Sequence, residues 1–217
     1  MPQFAWVLLG MALFGMNSAQ AESTDPNAAE LQLYLEQLNG VSTTFSQQVV
    51  DARGQVIEQS QGRLQLAKPN FRWDVADPFP QTILARGNTL EIYDPDLEQV
   101  VVRDLTAAVL QDMPLALLTG RTVDLDATYR VEKQKDSAVL SEGVAQQHTY
   151  RLYPRSEESL FEYMDLTFFG ASLVRLFIQD QTGTRSTIDL QSYQAGQPLA
   201  PEAFELELPP GTEVVKG

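Results

Sequence analysis

The stretch GRLQLAKPNFRWDVADPF, residues 62–79, decides which fold class the sequence predicts. Apolar residues alternate with polar ones on both sides of Pro69, at Leu64, Leu66, Phe71, Trp73 and Val75. A period of two is typical of β-strands that bury one face. Because Phe71 and Trp73 share a face, the stretch predicts two consecutive strands that place bulky side chains on one side of a sheet.

The same period continues through most of the chain, and it predicts about ten or eleven strands. Residues 81–104 predict three short strands, separated by the turn residues RGN and DPD. Later strands are predicted at residues 129–133, 149–153, 161–169, 173–178, 186–193 and 204–208. So many antiparallel strands predict a mainly β fold, a curved sheet or unclosed barrel whose open side is covered by helices.

Two segments have helical rather than strand patterns. Asp25-Pro26 is a helix-start signal, and apolar side chains follow at helical spacing before Gly40, at Leu31, Tyr34, Leu35 and Leu38. The segment LTAAVLQDMPLALLTG, residues 105–120, predicts two short apolar helices, the second starting at Pro114. Helices this small and apolar fit a cover over the sheet.

The last strands give the first indication of function. One predicted face of residues 160–169 carries Leu160, Met164, Leu166 and Phe168, and one face of residues 172–180 carries Val174, Leu176 and Ile178. The opposite faces are not cleanly polar, because they include Phe161, Tyr163, Phe169 and Phe177. Such strands fit either helices packed outside the sheet or a concave side lined for an apolar ligand.

The first 21 residues, MPQFAWVLLGMALFGMNSAQA, contain no acidic or basic side chain and end in Ala-Gln-Ala. This pattern predicts a secretory signal peptide, although the usual Lys or Arg near the start is missing. A transmembrane helix is the less favoured interpretation, because the apolar run is short. We therefore expect residues 22–217 to form one exported domain located in a periplasm.

Charge and cysteine content exclude several classes of function. With 29 acidic and 15 basic residues, the formal net charge is −14, which disfavours binding to nucleic acid or to anionic lipid. The chain has no cysteine. This absence excludes disulfides, thiolate metal ligands and thiol nucleophiles, and also the acylated cysteine that anchors a bacterial lipoprotein.

The sequence gives little indication of catalysis. The one histidine, His148, lies outside any HExxH motif or paired-ligand pattern, and we expect it in a surface loop. Serine-hydrolase, P-loop and dinucleotide-binding motifs are absent. Paired carboxylates for glycoside cleavage stay open, since sequence does not give their separation. We expect a protein that is not an enzyme and holds no metal or cofactor.

The order of these features resembles one known family, the periplasmic outer-membrane lipoprotein carrier proteins of Gram-negative bacteria. The similar stretches are FSQQVVDARGQVIEQSQGRLQLAKPNFRWDV from residue 45, LARGNTLEIYDPDLEQVVVR from 84, PLALLTG from 114, IQDQTGTRSTIDL from 178 and FELELPPGTEVV from 204. The block KPNFRW followed by YDPDLEQV is the most specific part.

The resemblance implies an unclosed β-barrel with a helical lid over an apolar cavity. The cavity would receive the acyl chains of lipoproteins that an inner-membrane ABC transporter releases, and a monomeric carrier would deliver them to an outer-membrane receptor. That receptor has a similar fold but is itself a lipoprotein. Because this chain lacks the cysteine needed for an anchor, the resemblance points to the carrier.

The resemblance also implies roles for individual residues. Family members often have arginine before the proline of this block, where it bonds backbone carbonyls of the lid. Lys68 would then latch the lid near residues 105–119, with Pro69 and Phe71 at the rim where cargo and transporter meet. The cavity and lid lining would comprise Trp73, Leu105, Val109, Leu115, Leu118, Met164, Leu166, Phe168 and Leu176. Alternatively, Lys68 is only a solvated residue at a strand end and Trp73 belongs to the core.

Three other functions stay open from sequence. A periplasmic stress sensor of the same fold would hold acyl chains as a signal, although such sensors usually carry a further domain. A small β-rich hydrolase would need a carboxylate pair converging in the cavity. A purely structural envelope protein would explain the strands but not the apolar lid.

Overall fold

The structure is a computed structural model that describes residues 25–106, 114–120, 124–135, 146–194, 196 and 198–217. The predicted signal peptide lies outside these residues, and so does the first predicted lid helix beyond residue 106, including Val109. Leu115 belongs to a described helical turn, but its side chain is outside the described part. Among the described helices, none is long and apolar enough to cross a membrane.

Twelve strands form the body of the described fold, which confirms the prediction of a mainly β protein. They are β1 Val41–Val50, β2 Val56–Ala67, β3 Asn70–Asp77, β4 Gln81–Arg86, β5 Thr89–Asp94, β6 Gln99–Asp104, β7 Tyr129–Lys133, β8 Gln147–Pro154, β9 Phe161–Phe169, β10 Ser172–Asp180, β11 Arg185–Gln194 and β12 Glu213–Lys216.

All twelve strands belong to one sheet in the order β12-β6-β5-β4-β3-β2-β1-β11-β10-β9-β8-β7. Two antiparallel meanders, β1–β6 and β7–β11, meet where β1 pairs with β11, for example Phe45 opposite Leu190. The outermost strands β12 and β7 pair with β6 and β8 and not with each other. The sheet therefore stays open, as predicted for an unclosed barrel, and only β12 pairs in parallel.

Helix α1, Pro26–Gln37, covers the concave side of the sheet. Its N-cap Asp25 accepts a hydrogen bond from the Asn27 backbone N–H at 2.9 Å, and it buries Ala28, Leu31 and Leu35. A 3-10 helix, Pro114–Thr119, follows β6 and buries Leu117 and Leu118. Helix α2, Leu125–Thr128, precedes β7, and Asp124 caps it. The helix predicted from Pro114 is thus confirmed, as a 3-10 helix.

The C-terminal segment differs from prediction. Residues 204–208 were predicted as a strand, but the structure has a second 3-10 helix, Pro201–Phe204, followed by extended chain outside the sheet. Arg72 on the convex side of β3 donates to the carbonyl oxygens of Ala203 and Glu205 at 3.2 and 2.9 Å. These bonds hold the segment on the convex face, where Phe204 is buried. The backbone there is satisfied by a side chain rather than by a strand partner.

Two register shifts correct the predicted faces of β9 and β10. Leu160 is 65% exposed and Phe161 is buried instead, next to the shift between Gln179 and Asp180. Val174 is likewise replaced in the core by Leu173, next to the shift between Leu173 and Arg175. A β-bulge inserts an extra residue and therefore reverses which residues face inward beyond it. Met164, Leu166 and Leu176 lie between the two shifts and face the core, as does Phe168 opposite Leu173.

Candidate functional site

The concave face of the sheet forms one continuous apolar cluster with α1 and the first 3-10 helix. Seven residues predicted to line a cavity or lid belong to it, and none is more than 8% exposed: Trp73, Leu105, Leu118, Met164, Leu166, Phe168 and Leu176. These side chains come from β3, the segment after β6, the 3-10 helix, β9 and β10. The structure thus brings the predicted residues together, and in this state they are packed against the covering helices.

An aromatic stack lies at the centre of this face. The Phe45 and Trp73 rings are 3.7 Å apart at 23°, and Phe71 stacks beyond Trp73 at 6.4 Å. Gly62 lies opposite Phe45 on β2, and a Cβ there would be 1.8 Å from the Asp74 carbonyl oxygen and 2.8 Å from Phe45 Cε1. Glycine at position 62 therefore lets β3 and the Phe45 ring approach closely enough to stack.

Tyr34 anchors α1 on the other half of the sheet. Its ring lies 4.9 Å from Phe168, 5.8 Å from Tyr150 and 5.9 Å from His148. His148 is therefore on β8 beside the concave aromatic cluster, and the prediction of a surface loop was wrong. In the sequence, His148 is spaced by two from Tyr150 and by four from Leu152, and this alternation indicated that all three share the inward face.

Polar contacts fix α1 to the edge strand β7. Lys133 Nζ lies 2.8 Å from Glu30 Oε1, and Asn27 Nδ2 donates to the Val131 carbonyl oxygen at 3.3 Å. The hydrogen bond from Lys133 lowers the pKa of the Glu30 carboxyl, and Tyr150 adds to this effect while partial burial opposes it. The ion pair is half-exposed, so α1 is held here by contacts that water can replace.

Lys68 holds the other end of α1. Its ammonium group donates to the carbonyl oxygens of Leu35 and, at 3.4 Å, Glu36, in the last turn of the helix. Carbonyls at a helix C-terminus lack helical partners and carry partial negative charge, so they attract a cation. Burial lowers the pKa of Lys68, and the Glu36 carboxylate partly opposes this shift.

Within the described part of the chain, the carbonyls that Lys68 bonds belong to α1, whereas the sequence predicted a latch to the lid near residues 105–119. The lysine stem nevertheless reaches the end of the first 3-10 helix, because a Cβ on Gly120 would lie 2.4 Å from Lys68 Cδ. Gly120 has φ +66°, a conformation that favours glycine. Lys68 thus contacts both elements that cover the concave face.

The two residues predicted at the rim have different environments. Pro69 is exposed in the turn between β2 and β3, as a rim residue would be. Phe71 is 1% exposed within the apolar cluster, because its strand face is turned towards the core. A partner would reach Phe71 only after the covering elements move. In this state Phe71 is therefore not accessible as a rim residue.

The interior offers little for chemical catalysis. The buried polar residues among those described are Thr43, Ser60, Thr119 and Thr167, and no carboxylate is buried there. The described residues also contain no group of three or more His, Asp or Glu side chains placed to hold a metal ion. The described interior therefore supplies apolar surface rather than the carboxylate pair that the hydrolase alternative requires.

Sequence comparison assigns the family. The profile of the family described as "Outer membrane lipoprotein carrier protein LolA" matches residues 36–207. A protein of Chromohalobacter salexigens named outer-membrane lipoprotein carrier protein is 33% identical over 100% of this chain and 99% of its own length. A protein of the same name from Hahella chejuensis is 30% identical over 95% of this chain and 97% of its own.

Solved structures show the same fold at low sequence identity. An uncharacterized conserved protein from Thermus thermophilus aligns with a TM-score of 0.54 and 15% identity, covering 88% of this chain and 99% of that one. MucB aligns with a TM-score of 0.51 and 13% identity, covering 88% of this chain and 66% of MucB. These likenesses concern the fold alone, whereas the sequence match is specific and nearly full-length: the chain belongs to the outer membrane lipoprotein carrier protein family.

Proposed function

We propose that the protein carries outer-membrane lipoproteins through the periplasm by binding their acyl chains on the concave face of the sheet. The observation that supports this most directly is the concave cluster itself. It consists of aliphatic and aromatic side chains, and α1 and the first 3-10 helix cover it while polar contacts hold α1 in place. Such a face can exchange one apolar cover for another, and the names of the family relatives indicate which cargo provides the second cover.

The exchange has a simple energetic basis. Each methylene of an acyl chain that is exposed to water costs about 0.8 kcal/mol of free energy, and burial on the sheet removes this cost. Lifting α1 and the 3-10 helix exposes leucines in return, including Leu31 and Leu118. The net affinity is the difference between these two burials, so binding is moderate and delivery to a tighter receptor stays favourable.

In this proposal Lys68 is the latch, with a changed geometry. It holds α1 directly through the Leu35 and Glu36 carbonyls and supports the 3-10 helix through the packing of its stem on Gly120. The lysine ammonium is a point charge with three N–H donors, whereas the guanidinium of an arginine at this position would be a planar fork. One lysine side chain therefore keeps both covers in place, its ammonium group on α1 and its stem on Gly120, and cargo opens them together.

The family also suggests the partners and the compartment. We propose that an inner-membrane ABC transporter loads the carrier, that an outer-membrane receptor unloads it, and that residues 1–21 direct export to the periplasm. Phe71 becomes accessible to cargo or transporter only in the open state, since it is buried beneath the covers here. No chemical step or cofactor is needed for this cycle.

A release assay tests the carrier role. Residues 22–217 are incubated with transporter-containing liposomes that hold an acylated lipoprotein, and ATP is added. We expect the lipoprotein to appear in the soluble fraction in a complex with this protein. If it stays in the membrane while a proven family member releases it under the same conditions, the carrier proposal fails and the acyl-sensing alternative takes its place.

A matched pair of variants connects the result to the concave face. Leu118→Gln places an amide in the buried 3-10 helix, whereas Gln65→Leu changes a half-buried residue outside the apolar cluster. We expect release to fall several-fold for folded Leu118→Gln and to be unchanged for Gln65→Leu. Equal release by both variants would show that the acyl chains bind elsewhere.

A further inference from the structure

The β1–β2 hairpin extends beyond the neighbouring strand β3. The last pair between β2 and β3 is Gln61 with Asp77, whereas β2 begins at Val56 and pairs with β1 as far as Val50 opposite Val56. On the side away from β1, residues 56–60 have no strand partner within the described chain. We call residues 56–60 the projecting edge. Unpaired N–H and C=O groups on such an edge are a template for a further strand.

Apolar side chains surround this edge in exposed positions. Val56 is 52% exposed and Ile57 is 61% exposed. Phe79, in the turn between β3 and β4, is 74% exposed. Phe79 stands between Pro78 and Pro80, whose rings fix the backbone on both sides. A groove of about 630 Å³ lies over the face of β1, β10 and β11 and begins at the edge, where residues 59–61 line it together with Asp77 and Pro78; Arg175 and Asp189 line its far side. A rigidly presented aromatic beside a free edge and a groove is a favourable place for a binding anchor.

The charge around the projecting edge is negative. Glu58 is on the edge and Asp77 lines the groove, while Asp94 at the end of β5 and Asp96 and Glu98 in the β5–β6 turn lie at the same end of the sheet, beyond β3 and β4. These five carboxylates take part in none of the ion pairs found among the described residues. Arg53, the one basic residue of the β1–β2 turn, is already bonded to Asp51 at 3.3 Å. The Arg185 guanidinium also reaches this turn, so Glu58 is the carboxylate that makes the edge itself complementary to a basic side chain.

Glu58 also excludes two other occupants. If two copies of this chain paired antiparallel through residues 56–60, the edge is so short that their Glu58 side chains would face each other, and like charges across strands are destabilising. An anionic lipid surface would meet the same carboxylates and be repelled. The same charge that prevents self-pairing therefore favours a partner strand with lysine or arginine.

We propose that the projecting edge is a docking site for an extended basic segment of a partner protein, which adds to the sheet beside β2. Its backbone pairs with residues 56–60, a basic side chain faces Glu58 on one face of the added strand, and an apolar residue on the opposite face packs on Ile57 and Phe79. This is strand addition, in which main-chain bonds give affinity and alternate side chains give specificity. The proposal goes beyond the carrier role, because this surface contains none of the concave residues.

Two synthetic peptides test the proposal without cargo or membrane. One alternates lysine with valine and the other alternates glutamate with valine, and both carry a fluorescent label for anisotropy measurements with residues 22–217. We expect the lysine peptide to bind and to slow amide hydrogen exchange within residues 56–60, and the glutamate peptide to do neither. Equal binding of both peptides, no binding of either, or protection confined to another strand would overturn the proposal.

Charge reversal separates a specific site from general attraction to an acidic protein. Glu58→Lys is expected to weaken binding of the lysine peptide about fivefold at low salt. Glu162→Lys makes the same charge change at an exposed position on β9 and should leave the affinity within about twofold. Equal losses in both variants would show non-specific binding. Dimerisation of the wild-type chain, if the neutral variant Glu58→Gln strengthens it, would identify a second copy as the occupant instead.

Discussion

Arg175 and Leu176 are neighbours on β10, yet they belong to two surfaces that are stabilised by different means. Leu176 points to the concave side, where it is fully buried among residues of α1, β9 and β11. Arg175 points to the convex side and bonds Asp189 on β11 at 2.6 Å with about half of its side chain exposed. At β10, one face is thus held by burial and the other by an ion pair between adjacent strands.

The convex contacts follow the strand register across the second half of the sheet. Arg151 on β8 makes a bidentate pair with Asp165 on β9 at 2.7 and 2.8 Å and lies 4.0 Å above the Tyr163 ring. Tyr163 in turn stacks on Phe177 of β10 at 5.8 Å. None of these contacts involves α1 or the first 3-10 helix. The convex face can therefore preserve the register of the sheet while the concave face changes its cover.

The largest effect that tests this comparison is expected from truncating one residue on each face. Leu176→Ala leaves a cavity in a packed cluster and should lower the free energy of unfolding by about 2–5 kcal/mol. Arg175→Ala removes an exposed ion pair and should lower it by less than about 1 kcal/mol. Urea denaturation of both variants measures the difference, and similar losses would show that the convex pairs are as important for stability as the core.

A smaller and more local effect is expected at the latch. Lys68→Met keeps most of the stem that packs on Gly120 but leaves the Leu35 and Glu36 carbonyls without the ammonium group. We expect a loss of about 1–2 kcal/mol, concentrated in α1. Hydrogen exchange should accelerate in residues 26–37 while the β9–β10 amides stay protected. Lys68→Arg is the control, since it retains the charge, and uniform acceleration over the sheet would contradict a local latch.

The smallest effect concerns pH and the Glu30–Lys133 pair. The folded-state pKa of Glu30 is below its ordinary value of 4.5, mainly because of Lys133. Its contribution to stability is therefore complete above about pH 4.5 and is lost as pH falls through the lower folded-state pKa. Glu30→Gln should cost under about 1 kcal/mol at neutral pH and nothing at a pH below that folded-state pKa. A constant difference between variant and wild type across this range would contradict the assignment.

Sequence patterns predicted the parts of this fold that depend on local spacing. The period of two gave the strands of the first meander, and the Asp25-Pro26 signal gave the start of α1. The errors on β9 and β10 come from bulges, whose position depends on how neighbouring strands pair and not on either strand alone. For this reason the core contains Phe161 and Leu173 and not Leu160 and Val174, which the sequence pattern had placed on the inner face.

The candidate site shows the same limit. Its apolar members were identifiable because their side chains alternate along strands, as in Met164, Leu166 and Phe168. The partner of Lys68 could not be identified in this way, because the sequence does not show which of the two covering elements ends beside the β2–β3 turn. The projecting edge was also invisible, since it arises from the relative lengths of β2 and β3 in a sheet whose register is set over long distances.

The position of β1 at the centre of the sheet has a consequence for the order of folding. The Thr43 hydroxyl donates to the carbonyl of Gln191, a partner 148 residues away in sequence. One edge of β1 therefore stays unpaired until nearly the whole chain is available, and contacts of such high sequence separation slow folding. This arrangement suits the export proposed above, because the first strand would have no complete set of partners until translocation is almost finished.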